Sequence, residues 1–233
     1  SSDLDLLVTL AEAIETDDRQ RGPADTTVIL LGDLVDRGPD SAGVIQAAQM
    51  WAAQRKVRFI AGNHEEMFLD AFDDMETLRH FLRYGGKETL LSYPIDPAQY
   101  AVADLDQARA LMRAAIPQDD VEFIRACEDS VALGDYLFVH AGVQPGVPLA
   151  DQKPADLRWI REPFLGHAGD LGAMVIHGHT IFDAPSIRPN RIGIDTGAYR
   201  TGCLTALGLE GEARWLIEAR KEDGAIRVTQ RSL

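Results

Sequence analysis

Apolar side chains recur along this chain at two periods, and their alternation lays out the order of elements. Leu4, Leu6, Leu7, Leu10, Ala11 and Ile14 fall at helical spacing and predict a helix over residues 4–15. A stretch rich in charge, glycine and proline reads as a loop over 16–25. Two β-branched runs, Thr27-Val28-Ile29-Leu30-Leu31 and Val57-Arg58-Phe59-Ile60-Ala61, predict buried strands. Between them 41–54 has helical periodicity, with Asp40 or Ser41 as its cap. Residues 64–82 read as mostly helical, Gly85-Gly86 breaks the pattern, and 87–93 adds a short helical piece.

Residues 96–127 predict an all-helical insertion, with one helix over 104–115 and another over 118–127 behind Pro117. From Ser130 onward short strands take over. The pattern predicts a hairpin of 131–133 and 136–139 about Gly134-Asp135, a helix over 154–161, and strands over 173–176, 191–194, 204–209 and 214–219. The last two are joined by the tight turn Glu210-Gly211-Glu212. Strands alternating with helices predict an α/β fold. No repeat, low-complexity segment or linker divides the chain, so 1–233 reads as a single domain.

The 233 residues are 45% hydrophobic and 26% charged, which suits a soluble globular protein with a sizeable core. A formal net charge of −14 argues against nucleic acid or an anionic membrane surface as partner, because both need a basic face. Any phosphorylated substrate must then be drawn in by local positive charge, from metal ions and a few arginines. Cys127 and Cys203 are too few for a disulfide framework and too isolated for a thiolate metal site. They read as free thiols in a reducing compartment, the cytoplasm. No apolar stretch approaches transmembrane length. Oligomeric state is not legible.

Candidate chemistry gathers at strand ends, where open α/β sheets build their sites. Gly32-Asp33-Leu34-Val35-Asp36-Arg37-Gly38 follows the first strand and Gly62-Asn63-His64-Glu65 the second. The two loops offer carboxylates, an amide oxygen, an imidazole and a guanidinium, a set that suits two divalent metals and a phosphate. Later strands run into His140-Ala141-Gly142 and His177-Gly178-His179-Thr180, so four of the six histidines stand at strand mouths. One such histidine would more often be structural; four, joined by Asp33 and Asn63, point to metal binding. Ligands of this kind without thiolates suit manganese, iron or zinc.

Taken in order, GDLVDRG, GNHE, HAG and GHT resemble the metallophosphoesterase superfamily. Asp36-Arg37 points to its phosphoprotein phosphatase branch, and to the serine/threonine protein phosphatases of bacteria and bacteriophages. Trp159-Ile160-Arg161-Glu162 and Ile194-Asp195-Thr196-Gly197-Ala198 resemble further segments of the bacterial subgroup. The resemblance implies a calcineurin-like sandwich of two mixed β-sheets flanked by helices. It implies two divalent metal ions, manganese with iron or zinc as alternatives, bridged by Asp33. Asn63, His140 and His179 would complete the second metal's ligands. Phosphate monoesters, phosphoserine and phosphothreonine in proteins above all, would be hydrolysed by in-line attack of a metal-bridging hydroxide. His64 would act as general acid, Asp36 would orient it, and Arg37 and Arg161 would clamp the phosphoryl oxygens.

Several positions have a second reading. Arg37 could pair with Asp36 or Asp40 on the surface, Arg158 competes with Arg161 for the clamp, and Trp159 could be core. His177 is expected beside the ligands or facing the substrate rather than binding metal, and His80 and His167 on the surface. Tyr199 and Arg200 either line the cleft or anchor a loop. The helical insertion lies between the GNHE and HAG loops, where it could overhang the cleft. The family's first motif, a strand ending in Gly-Asp-x-His-Gly that gives an Asp and a His to the first metal, has no counterpart here. The expectation is a longer natural protein carrying that strand upstream of residue 1, with the first metal site incomplete in these 233 residues.

Two other functions compete. A sister branch that hydrolyses dinucleoside polyphosphates such as diadenosine tetraphosphate shares GNHE and GHT but typically has Ala where Asp36 stands. A catalytically impaired metal-binding regulatory protein would account for the absent first motif, against the presence of Asp36, Arg37 and His64.

Overall fold

Helix α1 (Leu4–Arg21) starts at Asp3, whose carboxylate accepts the Leu6 N–H at 3.3 Å. The computed structural model describes residues 3–233, and in it α1 runs well past the apolar stripe, through residues expected to form a loop. Asp17 explains the extension. It turns inward, pairs with Arg21 one turn on at 2.9 Å, and accepts the indole N–H of Trp215 at 2.9 Å and the amide of Gln230 at 2.7 Å. Leu6 and Leu10 on the same helix pack with Ala198, Trp215, Ile217 and Ala219.

Strands β1 (Val28–Leu30) and β2 (Val57–Phe59) pair in parallel across α2 (Ser41–Ala52), which Asp40 caps through the Gly43 N–H at 2.8 Å. The long helix expected next is two helices, α3 (Asn63–Asp70) and α4 (Met75–Phe81), because Asp74 caps a fresh N-terminus through Thr77 N–H at 2.7 Å. A π-type turn over Leu82–Gly86 leads into α5 (Lys87–Ser92). Then come α6 (Pro97–Val102), α7 (Leu105–Ala115) and α8 (Gln118–Arg125). This helical segment sends Met112, Ile116 and Ile124 into one core with Phe68, Phe81 and Leu90.

The second half contains β3 (Ser130–Leu133), β4 (Tyr136–Val139), α9 (Pro154–Trp159), β5 (Met174–His177), β6 (Ser186–Ile187) and β7 (Arg191–Gly193). Their strands form a mixed sheet in the order β3-β4-β5-β7-β6, with β4, β5 and β7 parallel. After α10 (Ala198–Thr201), strands β8 (Cys203–Glu210), β9 (Ala213–Glu222) and β10 (Ala225–Ser232) make an antiparallel sheet. Neither β6 nor β10 was expected. The first is only two residues long, and the second is almost wholly exposed, so it lacks the apolar alternation that marks a strand. The molecule is thus α/β, with mixed sheets flanked by helices, of the kind the sequence implied.

The carboxyl ends of β1, β2, β4 and β5 come together, where the Gly178 N–H donates to the His140 carbonyl at 2.8 Å. Among the described residues β1 pairs only with β2, and β8 only with β9. Residues 26–34 and 203–211 line a shared cavity of about 700 Å³ that reaches Asp33, His140 and His179. None of residues 96–127 lines it. No helix among the described residues is long and apolar enough to cross a membrane.

Candidate active site

Two loops are fastened together by one carboxylate. Glu65, fully buried, accepts the N–H groups of Gly62 at 2.7 Å and Asp33 at 2.8 Å through Oε2, and that of Leu34 at 2.7 Å through Oε1. The sequence reading gave Glu65 no role of its own. Its signal was positional, since an acidic residue in the first turn of a helix caps free amides. Gly32 allows the approach: its φ is +90°, and an added Cβ would lie 2.6 Å from Gly62 N and 2.8 Å from His140 Nδ1.

Strain concentrates at the same place. Among the described residues five non-glycine residues have positive φ, and four of them are site residues: Asp33 (57°), Asp36 (71°), Arg37 (65°) and His179 (59°). Such backbone persists only where surrounding bonds enforce it, and it clusters at functional sites.

Asp33, Asn63, His140 and His179, the four expected metal ligands, meet in space. Asn63 Oδ1 is 3.1 Å from His140 Nε2 and 2.8 Å from His179 Nδ1, and the two ring nitrogens are 3.2 Å apart. Asp33 Oδ1 stands 3.3 Å from His140 Nε2. His140 Nδ1 lies 2.6 Å from the Leu31 carbonyl oxygen. A carbonyl only accepts, so Nδ1 carries a proton there, and the singly protonated ring would turn its Nε2 lone pair into the cluster. Three acceptor atoms therefore converge, more than one proton on His179 could satisfy. Burial, and then the charges of His140 and Arg161, push His179 down to about 3, which keeps it neutral. Its Nε2 is buried without a hydrogen-bond partner. Burial would raise the Asp33 carboxyl, but His140 first and then His64 outweigh it and hold Asp33 well below the usual carboxylate range. This donor set, oxygen and nitrogen without sulfur, fits a divalent cation.

Beside the cluster, His64 Nδ1 lies 2.6 Å from Asp36 Oδ2, with both side chains buried. Burial disfavours a charged imidazole, yet the Asp33 and Asp36 carboxylates prevail and raise the pKa of His64.

The arginines divide clearly. Arg158 is committed to Glu66 at 2.9 Å and Asp129 at 2.5 Å. Arg161 is exposed, and its charge reaches His179. Arg37 is exposed, and its guanidinium stands 5.1 Å from the Tyr199 ring centroid. Trp159 is not core: it is 37% exposed, its N–H donates to Glu66 at 3.0 Å, and its ring lies 6.5 Å from that of His179. Tyr199 lines the cavity and Arg200 is exposed.

His177 is enclosed by aromatic rings. It is fully buried, 5.0 Å from Phe164 and 6.3 Å from Phe182 between ring centroids, and burial pushes its pKa down to about 4. His80 is exposed against Tyr84, and His167 is partly exposed.

Comparison with known proteins places the chain in a family. A family model described as calcineurin-like phosphoesterase matches residues 3–195. The asymmetrical bis(5'-nucleosyl)-tetraphosphatase PrpE of Anoxybacillus flavithermus is 25% identical over 206 residues, covering 79% of this chain and 76% of the relative. Serine/threonine-protein phosphatase 1 of Salmonella typhimurium is 29% identical over 189 residues, covering 78% of each. The crystal structure of a candidate diadenosine tetraphosphatase superposes with a TM-score of 0.56 at 17% identity, over 93% of this chain and 86% of that one. That last likeness is one of fold.

Proposed function

The chain belongs to the calcineurin-like phosphoesterase family, and from this premise we propose that it hydrolyses phosphate monoesters, phosphoserine and phosphothreonine in proteins first among them. The observation that carries the reading is the buried pair His64–Asp36 at 2.6 Å, beside a cluster of oxygen and nitrogen ligands. An alkoxide leaves poorly without a proton. A charged His64 supplies one from Nε2 as the phosphorus–oxygen bond breaks, while Nδ1–H stays on Asp36. Arg37 and Arg161, both exposed, bind the non-bridging oxygens and offset the repulsion of a strongly acidic molecule.

Asp33, Asn63, His140 and His179 are the residues that would hold metal, manganese or else iron or zinc. Bound there, divalent cations supply Lewis acidity for water and phosphoryl oxygen alike. The free thiols Cys127 and Cys203 support a cytoplasmic setting.

Hydrolysis of dinucleoside polyphosphates is the second reading. It is favoured by the relatives named as tetraphosphatases and by two exposed aromatic rings, Trp159 and Tyr199, near the cluster and Arg37. Turnover of a phosphoserine peptide and of diadenosine tetraphosphate by the intact, manganese-supplied protein separates the two. We expect the peptide to be the better substrate; faster turnover of the dinucleotide would reverse the order.

A further inference from the structure

Two hydroxyl groups outside the recognised loops hold Asp36 from the side opposite His64. Thr89 Oγ1 donates to Asp36 Oδ1 at 2.6 Å, and the Asp36 N–H donates to Thr89 Oγ1 at 2.9 Å and to Ser41 Oγ at 3.1 Å. The two hydroxyl oxygens are 2.9 Å apart. Thr89 has one proton and gives it to the carboxylate, so in that contact Ser41 donates to Thr89. Asp36, Ser41 and Thr89 are all fully buried.

The backbone around Thr89 supports the same loop. Gly85, four residues earlier, accepts the Arg37 N–H at 3.2 Å. Its φ is +120°, and an added Cβ would lie 2.6 Å from Arg37 N, so a larger residue would displace the contact. Residues 85–89 thus hold Asp36 and Arg37 in their left-handed conformations.

We propose that Ser41 and Thr89 are positioning residues for proton delivery by His64. Their hydroxyls fix the Asp36 carboxylate so that Oδ2 faces His64 Nδ1 and the ring's other nitrogen is the one left to serve the departing oxygen. The inference rests on the reading of His64 as general acid. Replacing Thr89 by the isosteric valine takes the donor from Oδ1 in a fully buried place and leaves the carboxylate free to turn.

The test compares intact, manganese-loaded wild type, Thr89→Val and Thr89→Ser on two esters. Phenyl phosphate has a leaving group that needs a proton, and p-nitrophenyl phosphate has one that departs without it. Thr89→Val should lose kcat on phenyl phosphate by about 10- to 100-fold, with much less loss on p-nitrophenyl phosphate and KM unchanged. Thr89→Ser should restore it. Equal losses on both esters, or none, overturn the proposal. Should Thr89→Val not fold, Ser41→Ala is read the same way on both esters. Nitrogen-15 imidazole spectra of the metal-free proteins, clear of paramagnetic broadening, give a readout apart from turnover: the His64 Nδ1–H signal should persist in wild type and Thr89→Ser and weaken or shift in Thr89→Val. An unchanged signal contradicts the proposal. If wild type hydrolyses neither ester, the proposed function falls, and the spectra still decide the positioning role.

Discussion

The carbonyl oxygen of Leu31 lies 2.6 Å from His140 Nδ1, and this contact decides which nitrogen of His140 faces Asn63 and Asp33. A backbone atom at the end of β1 thus orients a side chain at the end of β4. His140→Ala removes that lone pair from the cluster while leaving both strands in place. Manganese affinity, measured by calorimetry, should fall on the order of 100-fold or more. Unaltered affinity would remove His140 from the ligand set.

Glu65 joins Gly62, Asp33 and Leu34 through their amides, so its loss exposes no new surface but strands several buried donors. Glu65→Ala should destabilise the protein by about 2–4 kcal/mol in urea denaturation. The change should weaken metal binding as well, because Asp33 depends on the same bonds for its strained backbone. A variant as stable as wild type would mean that the loops hold their shape without it.

Arg161 and Arg158 should separate by phenotype. Arg161→Ala removes an exposed guanidinium and should leave stability within about 0.5 kcal/mol. Its kcat/KM on a phosphate monoester should drop roughly 10- to 1000-fold. Arg158→Ala breaks the bonds to Glu66 and Asp129 and frees the Glu66 carboxylate that holds Trp159. It should cost about 1 kcal/mol of stability, with a smaller effect on turnover. The reverse pattern would make Arg158 the clamp.

Asp17 gives a pH dependence with a definite sign. Burial tends to raise its carboxyl, but Arg21, Gln230 and Trp215 prevail and lower it. A lowered folded pKa means that the unfolded chain takes up the proton first. The contribution is therefore fully present above the unfolded value, about 3.9, and is lost as pH falls through the folded one. Thermal denaturation from pH 5 down to about pH 2 should show wild type losing stability more steeply than Asp17→Asn. Parallel curves would contradict the assignment.

Much of this site was legible because its chemistry sits at the ends of apolar, β-branched runs. Asp33, Asn63, His140 and His179 stand at such ends, and the fold brings their polar atoms together. Residues acting through tertiary contacts gave weaker signals. Thr89 looks like an ordinary helix residue, and Ser41 like no more than a candidate cap, until α5 brings the Thr89 hydroxyl onto Asp36. Glu65 stood in its loop motif with no role of its own until the fold brought Asp33 and Leu34 to its carboxylate. His177 sits at a strand mouth like its neighbours, yet the Phe164 and Phe182 rings enclose it. In the fold, α1 outran its apolar stripe because Asp17 found donors on β9 and β10, 198 and 213 residues away in the chain. The exposed strand β10 is held by its register with β9 rather than by any pattern of its own.

The most direct measurement is phosphate release by the intact protein, stripped of metal and then titrated with manganese, with phosphoserine peptide as substrate. The account predicts no release without metal, activity that saturates as manganese binds, and loss of both binding and activity in Asn63→Ala. Saturable manganese binding with no release from any phosphate ester, or full release in the presence of chelator, would contradict it.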